Sequence, residues 1–99
     1  MHGEYKTPGG KLVVADFDVI DGRLRNMVIS GDFFLYPEEE LGTLTNALEG
    51  VDADLDDESF AERIRMDLHP DTELLGTSPE AIAIAVRRGL NAGRETQAP

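Results

Sequence analysis

A chain of 99 residues with 40% apolar side chains has room for one hydrophobic core but not two, and it is too apolar to be disordered throughout. Its 20 acidic against 9 basic side chains, a formal net charge of -11, repel nucleic acid and anionic membranes, so neither is an expected partner. Cysteine is absent, which removes disulfides, thiolate nucleophiles, zinc–thiolate sites and iron–sulfur ligation together.

Lys6 and Lys11 are the two lysines and the other bases are arginines, a balance that fits a salt-rich cytoplasm and a GC-rich genome equally. No charged-then-apolar secretory start is visible, and the longest apolar run, "AIAIAV" at 81–86, is far too short to span a bilayer. A soluble cytoplasmic protein is expected.

The first segment with chemical interest is "TPGGK" at 7–11. A phosphate-wrapping Walker loop needs Gly, four residues and Gly-Lys-Ser/Thr, after a strand and opening a helix. Here Leu12 follows the lysine and a strand follows the loop, so a Pro-Gly turn feeding that strand is the better reading. Lys11 remains of interest as a cation beside flexible backbone in an acidic chain. His2 falls in a terminus expected to be mobile.

"KLVVADFDVI" and "RLRNMVIS" flank Asp21-Gly22, a strong hairpin signal, because a type I′ turn needs positive φ at both central residues. With a two-residue loop, Ile20 faces Arg23, Val19 faces Leu24 and Asp18 faces Arg25. Continued without a break, this register pairs Phe17 with Asn26 and Ala15 with Val28, and it puts Leu12, Val14, Met27 and Ile29 on the opposite face. That second face is then only half solvated, and something is expected to cover it.

"GDFFLY" at 31–36 reads as a short extended segment. "PEEELGTLTNALEG" at 37–50 reads as a helix, with Pro37 at its first position, Glu38, Glu39 and Glu40 at the positive end of its dipole, and Leu41, Leu44 and Leu48 on one face. Gly42 weakens it and Gly50 stops it.

"DADLDDE" at 52–58 resembles the start of a calcium loop, but its sixth position is Asp57 rather than glycine and its twelfth is Arg63 rather than glutamate. A solvated loop whose acids cap the next helix is expected instead. That helix, "DESFAERIRMDL", carries Phe60, Ile64 and Leu68 on one stripe and ends before His69-Pro70, with His69 as a C-terminal cap.

Ser78-Pro79-Glu80 opens a further helix that buries Ile82, Ala85, Val86 and Leu90, carries Arg87 and Arg88 near its negative end, and stops by Gly93. Residues 94–99 are read as a polar tail and residues 1–93 as one domain. Strands first and helices afterwards predict an α+β fold, a small antiparallel sheet built on the N-terminal hairpin and packed by about three C-terminal helices.

Nothing assembles into a catalytic set. Ser30, Ser59 and Ser78 lack a Gly-x-Ser-x-Gly context. Asp16 and Asp18 share a strand face, but Asp18 is matched with Arg25. No catalytic residue, metal ligand or cofactor-binding residue is assigned.

Taken together, Lys6, Pro8, Gly9, Gly10 and Lys11, then the hairpin, then Ile29, Gly31, Asp32, Phe33 and Phe34 before an acidic helix entry, resemble the C-terminal accessory domain of lipoate–protein ligases. The later "LLGTSPEAIAIAVRRGL" resembles that family's terminal helix, so the resemblance covers about residues 5–91. It implies a non-catalytic part of an enzyme that activates lipoate with ATP to lipoyl-AMP and transfers the lipoyl group to a lysine of a carrier domain.

Lipoate, ATP and Mg are then expected on the large catalytic subunit, and lipoyl carrier domains are indirect partners. A methionine four residues before Tyr5 fits a free-standing small subunit, and an excised domain would look similar. The functional loop and partner interface implied are Lys6, Pro8, Gly9, Gly10, Lys11, Asp32, Phe33 and Phe34. The fold implied is shared with iron–sulfur scaffold and sulfur-acceptor proteins, whose chemistry cannot be carried over without cysteine. A cysteine-free binding module of similar fold in sulfur or cofactor metabolism is the alternative.

Overall fold

The computed structural model describes residues 1–97 and has an α+β architecture of two small antiparallel sheets and three helices. In chain order these are β1 (His2–Lys6), β2 (Leu12–Ile20), β3 (Arg23–Gly31), β4 (Phe34–Tyr36), α1 (Glu40–Leu48), α2 (Asp57–Asp67), β5 (Glu73–Leu75) and α3 (Pro79–Gln97). The larger sheet has the order β1-β2-β3, and β4 pairs with β5.

The N-terminus is therefore an ordered edge strand, where the sequence reading expected a mobile end. Its core-facing position is Gly3, which is buried. A Cβ there would lie 2.0 Å from the Ala85 carbonyl oxygen of α3, so the missing side chain lets strand and helix backbones touch.

The hairpin turns at Asp21 and Gly22, with φ +54° and +76°, as a type I′ turn requires. Next to it the expected register holds: Ile20 pairs with Arg23, Val19 with Leu24 and Asp18 with Arg25. Beyond Asp18 it fails. Asp16 pairs with Val28 and Ala15 with Ile29, because Asn26 and Met27 together oppose Phe17. Asn26 takes φ +56°, the left-handed conformation that asparagine tolerates best among residues with a side chain, and so forms a β-bulge.

The bulge reverses the parity of the rest of β3. Met27 and Ile29 turn into the core with Val13, Ala15, Phe17 and Leu24, while Val28 faces outward. The half-apolar outer face expected of the hairpin loses Met27 and Ile29, two of its four apolar members, to the interior.

Two helices cover the inner face and the third backs them: α3 packs on β1 and β2, α1 on β3, and α2 against α1 and α3. Leu44, Ala47 and Leu48 of α1, Phe60, Ala61 and Ile64 of α2, and Ile82, Ala85, Val86 and Leu90 of α3 complete the core. Each buried branched or aromatic side chain of this kind contributes roughly 1.5–3 kcal/mol relative to exposure.

The helix ends follow local chemistry. The Asp56 carboxylate accepts from the Ser59 N–H at 2.8 Å and caps α2, as the acidic loop predicts. Ser78 Oγ accepts from the Ala81 N–H at 3.1 Å and caps α3.

Four expectations are corrected. α1 begins at Glu40, and Pro37 lies before it, after a cis peptide bond with Tyr36. Leu41 is 42% exposed rather than on the buried face. His69 caps no helix: Leu68 closes α2, and His69 Nδ1 accepts from the Asp71 N–H at 3.2 Å in the following turn. α3 passes through Gly93 to Gln97, so Arg87 and Arg88 sit mid-helix and most of the supposed tail is helical; residues 98 and 99 lie outside the described residues.

Those two arginines join layers instead. The Arg87 guanidinium lies 5.4 Å from the centre of the Phe60 ring and donates to the Asp57 carboxylate at 2.7 Å and to the Leu55 carbonyl. Arg88 lies 4.9 Å from the centre of the Tyr5 ring and donates to the Glu4 carbonyl at 3.2 Å, which pins β1 to α3.

Candidate functional site

"TPGG" is a tight turn between β1 and β2. The Gly10 N–H donates to the Thr7 carbonyl at 2.8 Å, and Gly9 has φ +68°. Proline second and a positive-φ glycine third is the chemistry of a type II turn.

The Thr7 N–H donates to the Lys11 carbonyl at 3.1 Å and the Lys11 N–H to the Gly76 carbonyl at 2.8 Å. Three N–H groups that a phosphate would need are thus committed to carbonyls, and the loop does not fit a nucleotide phosphate. The turn reading of the sequence is the correct one.

The turn is strapped to the connection between β5 and α3. A Cβ on Gly10 would lie 2.6 Å from the Gly76 carbonyl oxygen, and one on Gly76 would lie 2.7 Å from Lys11 Cγ. The aliphatic stem of Lys11 therefore rests on Gly76, while Lys11 as a whole is exposed. Lys6, also exposed, stands opposite Leu12 in the strand register.

On the other side of β2, the Asp32 N–H donates to the Leu12 carbonyl at 3.1 Å. Gly31 has φ +146°, and a Cβ on it would lie 2.1 Å from that carbonyl oxygen. The two blocks that carry the family resemblance, Lys6–Lys11 and Gly31–Phe34, thus meet through Leu12 at one end of the sheet.

Phe33 and Phe34 part company there. Phe33 packs against the core. Phe34 is 60% exposed and pairs in β4 with Leu75 of β5, itself 48% exposed. Tyr36, two residues on and on the same face, is 49% exposed. A groove of about 470 Å³ runs beside Ile29, Ser30 and Gly31 and is walled by Phe34, Tyr36, Leu41 and Glu38.

Sequence reasoning found the turn and the two phenylalanines. It missed Gly76 and Leu75, because their proximity depends on β5, a strand of three residues with no periodicity to read, and it missed Tyr36 and Leu41, which border the groove beside Phe34.

Asp16 lies outside this end, on the β1 side of β2. His2 Nδ1 meets its carboxylate, and His2 Nε2 lies 3.2 Å from the Glu4 carboxylate. The hydrogen bond to Asp16, and secondarily that to Glu4, raises the His2 pKa above its ordinary 6.5. Among the described residues no group of three or more His, Cys, Asp or Glu side chains could hold a metal ion. No helix among them is long and apolar enough to cross a membrane.

No family model and no curated protein sequence matches the chain. Among solved structures it is similar to a chain of an archaeal lipoylation system, described as a bipartite lipoate protein ligase and its E2 lipoyl domain from Thermoplasma acidophilum. The TM-score is 0.72 at 26% sequence identity, over 88% of this chain and 93% of that one. The fold match is consistent with a small ligase subunit, in agreement with the resemblance carried by Lys6–Lys11 and Ile29–Phe34.

Proposed function

We propose that this chain is the accessory subunit of a lipoate–protein ligase. It docks on a large catalytic chain and supports ATP-dependent activation of lipoate to lipoyl-AMP for protein lipoylation, and it contributes no reacting group itself. The observation that carries this reading is the fold match to a chain of a bipartite lipoate ligase system over 88% of the residues. It is supported by the convergence of the two family-like blocks on one end of the sheet.

The mechanism that fits is ordering. Lipoate, ATP and Mg bind the large chain, and docking holds its mobile loops in the conformation that aligns lipoate carboxylate and ATP. Lys11 is held at the surface by a turn tied to Gly76, so its ammonium group can reach the rim of a partner's site. Lys6, Pro8, Gly9, Gly10, Asp32, Phe33 and Phe34 shape the loop and the apolar corner beside it.

The test compares the two half-reactions with and without this protein. The chain alone forms no lipoyl-AMP from lipoate and ATP, and added to the large chain it enables that step. Ready-made lipoyl-AMP is transferred to the carrier domain with the small chain left out. Activation at full rate by the large chain alone defeats the accessory reading, and lipoyl-AMP made by the small chain alone defeats the claim that it is non-catalytic.

A further inference from the structure

β3 is an edge strand, and its outer edge is closed along only part of its length. In an antiparallel pair, residues alternate between bonding inward to the partner strand and pointing outward. The Asp32 N–H bonds the Leu12 carbonyl on the β2 side, so in the same register Ser30 and Val28 also bond toward β2. Ile29 and Gly31 then turn their N–H and C=O groups to the outer edge.

Nearer the turn, both outward groups of Leu24 and the N–H groups at the bulge have partners. The Leu24 N–H donates to the Val51 carbonyl at 2.9 Å, and its carbonyl accepts from the Gly50 N–H at 2.7 Å. Asn26 and Met27, at the bulge, donate their N–H groups to the two oxygens of the Glu49 carboxylate at 3.2 and 2.9 Å. Past Glu49 this cover stops. Among the described residues, no hydrogen bond reaches the outward groups of Ile29 and Gly31.

That open stretch is also where the groove runs, walled by the exposed Phe34, Tyr36 and Leu41. An open edge beside exposed apolar side chains is a template for an added strand.

We infer that the outer edge of β3 at Ile29–Gly31 takes up an extended segment of the large catalytic chain, four to five residues long, as an additional strand. Its apolar side chains fill the groove, and a lysine or arginine faces Glu38. The inference rests on the accessory reading and names the contact by which docking occurs.

The charge of the occupant follows from what surrounds the edge. Glu49 closes one end, Asp32 follows Gly31 at the other, and Glu38 lines the groove. A second copy of this chain would bring the same carboxylates and another formal charge of -11 against them, so self-pairing is disfavoured. A basic, apolar strand is complementary.

The experiment is amide hydrogen exchange, read residue by residue on the full chain, alone and with the large catalytic chain, and then with overlapping peptides that tile the large chain. Exchange at Ile29 and Gly31 is expected to slow by at least about tenfold in the complex, whereas Asn26 and Met27, already bonded to Glu49, change little. One basic–apolar peptide should reproduce the protection, and Glu38→Lys should weaken its binding several-fold.

A complex that enables activation while leaving Ile29 and Gly31 exchange unchanged overturns the strand and leaves the accessory role standing. Protection of the same amides in the isolated chain as its concentration rises assigns the edge to self-pairing and overturns the inference. Failure of the large chain to bind at all overturns both.

Discussion

Gly31 shows how a single position can be visible in sequence while its reason is not. It stands in the block Gly31-Asp32-Phe33-Phe34, but only the structure shows the Leu12 carbonyl oxygen 2.1 Å from where its Cβ would be. Gly31→Ala combines that overlap with a backbone φ of +146°, and the neighbour is backbone that cannot swing aside. A loss of about 2–4 kcal/mol is expected, lowering the melting temperature by roughly 10 °C or more in thermal unfolding. Lys11→Ala is the contrasting case. Among the described residues its ammonium group has no partner to lose, and the Cβ over Gly76 is kept, so melting should move by no more than about 0.5 kcal/mol. Lipoate activation in the reconstituted ligase should slow on the order of tenfold, the effect of losing one charged contact of about 1.5 kcal/mol. Unaltered activation kinetics would return Lys11 to the solvated surface.

Elements were legible wherever their own side chains carried the pattern. The turn at Asp21-Gly22, α2 with its Asp56 cap and α3 with its Ser78 cap are readable because the residues that cause them lie within a few positions. β1 was not, because its inward residue is Gly3 and its outward ones are His2, Glu4 and Lys6, leaving Tyr5 as the sole apolar signal. The register of β3 was half legible. A continuous hairpin placed Asn26 on an otherwise apolar face, and that mismatch was the mark of the bulge. The end of α3 was misread because Gly93 looks like a stop when no layer beneath the helix is known. The same scale sets a pH prediction. The His2 pKa is raised by Asp16 and then Glu4, so the link between β1 and β2 is fully present below pH 6.5 and is lost as pH rises through the higher folded value. The difference in melting temperature between the parent chain and His2→Ala should therefore be largest in mildly acidic buffer and vanish in alkaline buffer. A pH-independent difference would show that the ring acts through packing rather than charge.

At the scale of the whole molecule, the excess of acid is not neutralised by the cations present, because 20 acidic side chains face 9 basic ones and four of those nine are already engaged within the chain. Arg87 is held by Asp57 and Leu55, Arg88 by Tyr5 and Glu4, Arg23 by the Gly50 carbonyl, and Arg65 by Glu62 and Glu80. The field presented to a partner is consequently that of the carboxylates, from the groove rim at Glu38 to the loop at 52–58. A large chain that docks here should meet it with a basic surface, and attraction over that distance accelerates encounter more than it slows release. Raising ionic strength shrinks the screening length from roughly 14 Å near 0.05 M to about 4–5 Å near 0.5 M, so the long-range part of the attraction is removed while contacts within the groove persist. The association rate, measured by stopped-flow or surface binding, is expected to fall on the order of tenfold over that range, with the dissociation rate changing much less. An association rate insensitive to salt would mean that the acidic field plays no part in finding the partner, and that the apolar corner at Phe34, Tyr36 and Leu41 carries docking alone.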